Sequence, residues 1–200
     1  MRTPRVGVLA LQGDVAEHVH ALERAGADVS EVRTPEDLAR VDALVVPGGE
    51  STTVIRLLDR FGLTQPIKDR VAGGMPFWGT CMGMILAAHD VADLDQDTLD
   101  LIDVTVRRNA FGRQLESAEI PLAIPVLGEE PFPAVFIRAP WIERTGPHVA
   151  TLAERDGHGV MVRQNDVLAT SFHPELTGDD RVHGYFLTMV AQAAGRILTP

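Results

Sequence analysis

The sequence predicts a single-domain α/β fold with a mostly parallel central sheet flanked by helices and an antiparallel extension. The first half of the chain alternates short apolar runs with helix-compatible segments, and such alternation implies right-handed crossovers between parallel strands. The second half consists mainly of strand-like runs separated by turns that carry Gly, Pro, Asn and Asp. These strands favour an antiparallel extension of the same sheet.

Strands and helices alternate through the first half of the chain. The run at residues 6–11 is continuously apolar, as expected for a strand buried on both faces of a sheet. Thr34 and Pro35 mark a helix start, because threonine caps helix N-termini and proline suits the first helical position. Gly26 and Gly62 are placed to end the helices before them. Strands are predicted at residues 6–11, 28–33, 43–46 and 75–78, and helices at 15–25, from 35, from the turn at 47–51 through 59, and from 66.

The second half of the chain is dominated by predicted strands and closes with one helix. At its start, residues 93–103 carry five aspartates. This spacing invites a calcium-loop interpretation, but the glycine and the terminal glutamate of an EF-hand loop are missing, so a solvated acidic loop is expected. Strands are predicted at residues 102–107, 115–124, 134–138, 150–154, 160–163 and 167–171, and the final helix at 180–196.

Length, charge and cysteine content limit the classes of protein to which this chain can belong. Its 200 residues are enough for one sizeable domain with a substantial core. The net charge of −10 argues against a nucleic-acid partner, because phosphates require a basic face. Cys81 is the only cysteine, which excludes an internal disulfide and favours a reducing compartment, the cytoplasm.

The N-terminal residues 1–11 are basic and then apolar, as in a signal peptide. The apolar run is short, and Gln12-Gly13-Asp14 ends it without a cleavage region, so we interpret it as the first strand. No apolar run approaches the roughly 18 residues of a membrane-spanning helix, so no membrane partner is expected.

The segment Gly79-Thr80-Cys81-Met82-Gly83 predicts a cysteine nucleophile at a strand-to-helix turn. It lies between the apolar run at 75–78 and a helix-compatible run at 84–88. Its glycines permit a tight turn and keep bulk away from the sulfur, and the helix N-terminus favours the reactive thiolate. A lone cysteine is more often a small buried hydrophobic residue, and the cysteine alone leaves that alternative open.

The segment His173-Pro174-Glu175 supplies a matching base and a carboxylate to orient it. Proline biases the residue before it toward an extended conformation, in which residues i and i+2 lie on the same side of the chain. Glu175 would then reach the imidazole that His173 presents to Cys81, as in a catalytic triad. The alternative is an ordinary turn with a surface glutamate.

Three turns are expected at the carboxyl ends of parallel strands, where open α/β sheets bind ligands. They are Gln12-Gly13, residues 47–51 and residues 79–83. The Gly48-Gly49 pair has no phosphate-loop lysine and no complete G-x-G-x-x-G motif, which argues against a nucleotide site. An oxyanion site is favoured instead, with one backbone N–H from Gly49 and the other from Met82, the residue after the nucleophile.

Together these motifs resemble class I, triad-type, glutamine amidotransferases, and more narrowly the glutaminase subunits of pyridoxal 5′-phosphate synthases. The resemblance covers nearly the whole chain, so residues 1–200 are interpreted as one glutamine amidotransferase domain. The strand-to-helix turn around Cys81 and the His-x-Glu motif are typical of the broad class, and the other segments are typical of the narrower branch. The segments that carry the resemblance are residues 7–13 with Glu17-His18, 47–53, 79–83, 107–114, 136–140 and 171–175.

The resemblance implies a reaction and a set of catalytic residues. Cys81 attacks the side-chain amide of L-glutamine, His173 is the base, and Glu175 orients the histidine. Ammonia leaves, and water then releases glutamate from a γ-glutamyl thioester. Neither a metal nor an organic cofactor is implied.

The resemblance also implies which residues contact the substrate. An arginine suits the carboxylate of glutamine because its guanidinium can bind bidentately. Only one of the neighbours Arg107 and Arg108 can face the site, and the match selects Arg108. For Arg138 a structural role stays open, since Pro140 marks an irregular strand end. The implied glutamine contacts are Gly49, Glu50, Ser51, Arg108, Ile137 and Arg138.

The implied partner is a synthase subunit with a (β/α)8 barrel, which receives the ammonia within a heteromeric complex. The turns at Gln12-Gly13 and Gly48-Gly49 are the expected docking-sensitive positions. The chain departs from the family at Met82, where alanine is frequent, and at Trp78, where a smaller aromatic residue is frequent. Three alternatives stay open: a glutaminase that feeds another synthase, a cysteine hydrolase or chaperone of a related fold, and a non-catalytic regulatory subunit.

Overall fold

A computed structural model describes residues 3–92, 94–108 and 117–197 of the chain. The elements of the first half, in order, are β1 (Arg5–Leu9), α1 (Val15–Arg24), β2 (Asp28–Val32), α2 (Pro35–Leu38), β3 (Ala43–Val46), α3 (Ser51–Arg60), α4 (Thr64–Ala72), β4 (Phe77–Thr80) and α5 (Met82–Ala87). They confirm the predicted alternation. The predicted start of α2 is confirmed by a capping box, in which Thr34 and Asp37 each accept a hydrogen bond from the backbone N–H of the other.

The second half of the described chain is mainly β-structure and ends in one long helix. Its elements are β5 (Ala88–Val91), β6 (Ile102–Arg107), β7 (Ser117–Leu122), β8 (Phe132–Ile137), β9 (Trp141–Thr145), β10 (Ala150–Arg155), β11 (His158–Gln164), β12 (Val167–Thr170) and α6 (Arg181–Ile197). The sequence did not predict β5 and β9. β5 exposes two consecutive residues, His89 and Asp90, so it shows neither alternation nor a continuous apolar run.

Ten of the described strands form one sheet with a parallel centre. From one edge the order is β2-β1-β3-β4-β12, and these four pairings are parallel. β11, β9 and β6 continue the sheet through antiparallel pairings, β10 pairs with β11, and β5 runs parallel to β6. The predicted parallel sheet with an antiparallel extension is therefore confirmed. β7 and β8 form a separate two-stranded sheet, whereas the prediction had placed them in the extension.

Two hydrophobic cores lie on opposite faces of the sheet. Alternate residues of the central strands point to each: Leu44 and Phe77 belong to one core, and Val45 and Trp78 to the other. Helices α3, α4 and α5 cover the first core, while α1, α6 and the β7–β8 hairpin cover the second. Burial on both faces explains why the central strands are continuously apolar in sequence.

The carboxyl ends of β1, β3, β4 and β12 lie at one edge of the parallel centre. The turns that follow these strands carry Gln12, Gly49, Cys81 and His173, so residues far apart in sequence meet there. Within the described ranges, no helix combines the length and the apolar character needed to cross a membrane.

Candidate active site

Cys81 lies at the turn between β4 and α5. Its backbone angles (φ 49°, ψ −105°) are ones that residues with side chains rarely adopt. The Cys81 N–H donates to the carbonyl oxygen of Thr170 on β12 at 2.7 Å, and the Cys81 carbonyl accepts from the Met84 N–H at 3.1 Å. These bonds hold the strained turn in place. The structure therefore contains a strand-to-helix turn with the thiol at its tip, 3.9 Å from the carbonyl oxygen of Ile137.

Gly79 and Gly83 permit this turn because backbone segments pack closely around them. A Cβ atom on Gly79 would lie 2.3 Å from the carbonyl oxygen of Gly83, and one on Gly83 would lie 2.2 Å from the carbonyl oxygen of Val46. A larger residue would force β3, β4 and α5 apart. These close approaches agree with the tight turn expected from the sequence. That the glycines also keep bulk away from the sulfur stays a prediction.

His173 follows β12, and its ring is hydrogen bonded to Glu175. The His173 Nδ1 and Glu175 Oε1 atoms lie 2.7 Å apart, and both side chains are buried. The His173 N–H donates to the carbonyl oxygen of Val135 on β8 at 2.8 Å, so the hairpin holds the histidine backbone. Glu175 lies in a short 3₁₀ turn, Pro174–Leu176, and not in the extended segment that the sequence suggested. This turn, and not the two-residue period of a strand, brings the carboxylate to the ring.

The charge state of His173 results from opposing effects. Burial alone would lower the pKa of His173, but the side-chain hydrogen bonds with Cys81 and Glu175 outweigh burial and raise the pKa to about 10. The ring is therefore an imidazolium at neutral pH, with the Glu175 carboxylate as its counter-ion. An imidazolium beside a cysteine favours the thiolate, which is the reactive form of that side chain.

A cavity of about 370 Å³ opens beside Cys81 and His173. This volume lies in the range of small-molecule sites. Glu175 lies behind His173 and does not line the cavity. The cavity wall brings together every residue that the sequence placed in glutamine binding or in the oxyanion site: Gly49, Glu50, Ser51, Met82, Arg108, Ile137 and Arg138.

Glu50 is the N-cap of α3 and a fixed negative charge in the cavity wall. Hydrogen bonds from the hydroxyls and the backbone N–H groups of Thr52 and Thr53 lower the pKa of Glu50 to about 2. The Glu50 N–H donates to Gln12 Oε1 at 3.0 Å. This bond connects the turn after β3 to the turn after β1.

Arg108 contacts both Glu50 and the acidic segment between β5 and β6. Its Nη2 atom lies 3.2 Å from Glu50 Oε1, and its Nη1 atom lies 3.4 Å from Gln96 Oε1. Ser51 Oγ donates to the same Gln96 oxygen at 2.9 Å. Glu50, Ser51, Gln96 and Arg108 therefore form one hydrogen-bonded group beside the cavity.

Only part of the 107–114 segment lies within the described residues. Arg107 pairs with Glu143, whereas Arg108 lines the cavity, so the two adjacent arginines have different partners. Residues 109–114 fall outside the ranges that the structure describes.

Ile137 and Arg138 contribute to the cavity at the end of β8. Arg138 has a positive φ of 43°, where the chain leaves the strand shortly before Pro140. Such conformations are rare for residues with side chains and cluster at functional sites. The residue thus lies where a glutamine contact is expected.

No local pattern in the sequence predicted two further residues near the site. Asp14 lines the cavity, and its Oδ2 atom lies 3.5 Å from His173 Nδ1, while burial raises the pKa of this carboxyl. Gln96 belongs to the segment that was expected to be a solvated acidic loop. Its aspartates at 95, 97 and 100 are exposed, but Gln96 is half-buried. Only the tertiary fold brings these side chains to the cavity.

Within the described ranges, one group of side chains is close enough to hold a metal ion. The ligand atoms of Asp14, His173 and Glu175 lie within 4.8 Å of one another. Two of these atoms already form the 2.7 Å hydrogen bond between His173 and Glu175, which an ion would have to displace. We therefore interpret the group as a hydrogen-bonded pair with a neighbouring carboxylate.

The fold and the site define a class of protein: α/β proteins that carry a cysteine at a strand-to-helix turn and face it with a buried histidine. Within that class, the chain belongs to the SNO glutamine amidotransferase family, whose sequence model matches residues 8–192. This finding confirms the family that the sequence motifs indicated.

Relatives of known name match nearly the full chain. The pyridoxal 5′-phosphate synthase subunit PdxT of Streptomyces avermitilis is 57% identical over 192 residues, which cover 95% of this chain and 96% of that protein. The protein of the same name from Acidothermus cellulolyticus is 55% identical over 198 residues, covering 96% of each chain.

Solved structures give the same result for the fold. A crystal structure of a glutamine amidotransferase superposes with a TM-score of 0.88 at 47% sequence identity, covering 93% of this chain and 98% of that one. PurLQS from Thermotoga maritima superposes with a TM-score of 0.64 at 18% identity, covering 99% and 100% of the two chains. The second likeness concerns the fold alone.

Proposed function

We propose that this chain is the glutaminase subunit of a pyridoxal 5′-phosphate synthase. It hydrolyses L-glutamine to glutamate and ammonia, and it passes the ammonia to a synthase subunit that makes the coenzyme. The observation that carries the proposal is the cavity where Cys81 and His173 meet the predicted glutamine contacts. The relatives named pyridoxal 5′-phosphate synthase subunit PdxT support the choice of synthase.

In the first half of the reaction, Cys81 Sγ attacks the side-chain carbonyl carbon of glutamine. As the C–S bond forms, the π electrons of the carbonyl move to its oxygen, and the N–H groups of Gly49 and Met82 stabilise the oxyanion. The His173 imidazolium gives its proton to the amide nitrogen, and the C–N bond breaks to release ammonia. Glu175 orients the ring throughout and balances its charge.

In the second half of the reaction, water attacks the γ-glutamyl thioester. His173 is now neutral and takes a proton from the water as the new C–O bond forms. The C–S bond then breaks to release the sulfur of Cys81 and the new γ-carboxylic acid, which loses its remaining proton to solvent and leaves as glutamate. His173 has thus regained from water the proton that it gave to ammonia.

The charges in the cavity wall suit free glutamine, which carries one carboxylate and one ammonium group. Arg108 and Arg138 bring guanidinium donors that can hold the carboxylate. Glu50 brings an ionised carboxylate that can face the ammonium group, since its pKa is lowered to about 2 by hydrogen bonds from Thr52 and Thr53. A neutral amide side chain is left to lie toward Cys81.

The partner in this proposal is a synthase subunit with a (β/α)8 barrel, and the complex lies in the cytoplasm. Free ammonia would be protonated and diffuse away, so a shielded route between the two subunits is needed. The turns at Gln12-Gly13 and Gly48-Gly49 are the proposed docking-sensitive positions. They adjoin the catalytic centre, since a Cβ atom on Gly48 would lie 2.6 Å from His173 Cε1.

Glutamate release from L-glutamine tests the proposal, measured with the purified chain alone and mixed with the barrel subunit. We expect strong stimulation by the barrel subunit. The Cys81→Ala variant should release no glutamate and still bind the barrel. Hydrolysis in neither condition by a folded chain would contradict the proposal. Full activity without the barrel subunit would support the glutaminase activity but contradict the assigned partner.

A further inference from the structure

A buried histidine on α1 faces the oxygen of Glu175 that does not contact His173. His18 Nε2 lies 3.3 Å from Glu175 Oε2 and 3.0 Å from Thr80 Oγ1, and all three side chains are buried. We infer that His18 is a positioning residue, whose Nε2–H holds Glu175 so that its other oxygen stays on His173. This role rests on the proposed function, in which Glu175 orients the catalytic histidine.

The surroundings of His18 select one tautomer of its ring. A bare nitrogen lone pair 3.3 Å from a carboxylate oxygen would repel that oxygen, so Nε2 carries the hydrogen. Within the described part of the chain, Glu175 Oε2 and His18 Nδ1 have no hydrogen-bond partner of standard geometry. The Nε2–H, shared with the Thr80 hydroxyl, is thus a donor within reach of a buried oxygen that otherwise stays unsatisfied. Removing that donor leaves the desolvated oxygen uncompensated.

His18 acts as a neutral donor and not as a cation. Burial lowers the pKa of His18, so its ring is neutral at neutral pH. Burial alone would raise the pKa of Glu175, but the hydrogen bond and the positive charge of His173 oppose burial, and the net shift is downward. Glu175 is therefore ionised. Because His18 brings no charge, the carboxylate remains free to balance the His173 imidazolium.

Packing holds the His18 ring in this position. Trp78 meets it edge-on at a centroid distance of 5.6 Å, and the His183 ring lies 5.7 Å away. Thr80, the hydroxyl partner of His18, directly precedes Cys81 on the chain. The strand that carries the nucleophile therefore also fixes the residue that supports Glu175. The Glu17-His18 segment is part of the family resemblance, but no role for it follows from the sequence. The contact between His18 and Glu175 gives the histidine a role in supporting the carboxylate.

Steady-state kinetics of the complex with the barrel subunit test the inference. His18→Leu removes the donor, and His18→Gln keeps an N–H near the position of Nε2. We expect kcat to fall about 10- to 100-fold in His18→Leu, the size of effect seen when a partner that orients a metal-ligating residue is removed. KM should stay unchanged, because His18 does not line the cavity. His18→Gln should recover most of kcat.

His183→Phe is the matched control for loss of a buried imidazole. The His183 ring packs against Trp78 at a centroid distance of 5.0 Å, and neither of its nitrogens has a hydrogen-bond partner among the residues described. Phenylalanine preserves the ring and the packing. We expect kcat and KM of this variant to match those of the unmodified chain.

The pH dependence of kcat separates positioning from a general loss of structure. Without the His18 donor the pKa of Glu175 rises, so the acid limb of kcat moves to higher pH in His18→Leu. In His18→Gln and in His183→Phe the acid limb should lie at the same pH as in the unmodified chain. The titratable groups around His18 are Asp14, Glu17, His173, Glu175 and His183. Both His18 variants keep all five groups, and His183→Phe replaces only the last of them.

A measurement on the unmodified chain keeps the inference testable if His18→Leu does not fold. Nitrogen-15 NMR of its histidines at neutral pH should show His18 as the neutral Nε2–H tautomer. An Nδ1–H tautomer, an imidazolium at neutral pH, or unmodified kcat and acid limb in folded His18→Leu would overturn the inference. An unmodified complex that hydrolyses no glutamine would instead contradict the proposed function, and the NMR result would be unaffected.

Discussion

Ser51 Oγ donates a hydrogen bond of 2.9 Å to Gln96 Oε1, and this bond ties the acidic segment to the wall of the cavity. The guanidinium of Arg108 contacts the same oxygen at 3.4 Å. One neutral amide therefore holds two of the proposed glutamine contacts in place. The segment between β5 and β6 thus has a structural connection to the site that its run of aspartates does not suggest.

Gln96→Ala should raise KM for glutamine about fivefold and leave kcat nearly unchanged. The variant removes the acceptor that orders Ser51 and Arg108, and one hydrogen bond contributes about 1 kcal/mol. Steady-state kinetics of the complex measure both constants. Asp95→Ala is the control, since Asp95 lies in the same loop and is exposed. An unchanged KM in Gln96→Ala would show that the loop does not order the binding residues.

Arg108→Lys should raise KM for glutamine about tenfold, which corresponds to about 1.4 kcal/mol. The guanidinium fork reaches Glu50 and Gln96 with different nitrogens and can still present a donor to a carboxylate, whereas an ammonium is a point charge. Arg107→Lys is a matched control at the adjacent position, because Arg107 pairs with Glu143. Equal KM values for the two variants would contradict the assignment of Arg108.

Iodoacetamide should alkylate Cys81 faster in the unmodified chain than in His173→Ala, most clearly near pH 6. Burial alone would lower the pKa of His173, but hydrogen bonds with Cys81 and Glu175 raise it to about 10, so the imidazolium persists at this pH and favours the thiolate. The variant lacks this neighbouring positive charge, so its alkylation should be slower at the same pH. Mass spectrometry reports a single site, since the chain has one cysteine. Equal alkylation rates in the unmodified chain and in His173→Ala would show that His173 does not activate Cys81.

Glu50→Gln should lower the free energy of unfolding at neutral pH by about 1 kcal/mol, since Glu50 caps α3. The pKa of Glu50 is lowered to about 2 by hydrogen bonds from Thr52 and Thr53. Its ionised form therefore stabilises the fold above its ordinary pKa of 4.5, and this contribution is lost as the pH falls from there toward 2. Urea unfolding should show the two proteins converging as the pH is lowered. Glu129→Gln, at an exposed bend, is the control and should leave the free energy of unfolding at neutral pH unchanged.

Gly79→Ala should destabilise the fold by about 1–3 kcal/mol or more, because its Cβ would lie 2.3 Å from the Gly83 carbonyl oxygen. Gly184→Ala should instead stabilise the fold by about 0.5–1 kcal/mol, since Gly184 lies inside α6 with nothing within 4 Å of a Cβ atom. Urea unfolding of both variants measures the difference. An unchanged free energy of unfolding in Gly79→Ala would show that the turn accommodates the extra methyl group and would contradict this prediction.

The parallel half of the fold could be predicted from the sequence because its signals are local. Strands β1 and β3 are covered on both faces, so each is a continuous apolar run. Thr34 and Pro35 mark a helix start through their own side chains. The glycines around Cys81 are needed for the tight backbone turn, so they can be recognised in the sequence. The reactive groups of the candidate site, including the His-x-Glu motif, could be predicted because they also lie in short local motifs.

Tertiary structure alone decided the features that depend on partners distant in the chain. β5 and β9 form where neighbouring strands offer hydrogen bonds, and strand formation follows such context more than local preference. His18, Asp14 and Gln96 reach the site because α1 and two loops fold against one edge of the sheet. The sequence by itself determined most of the helices and strands and the reactive groups. Packing determined which groups touch, because a contact between distant residues has no local period or spacing that could reveal it.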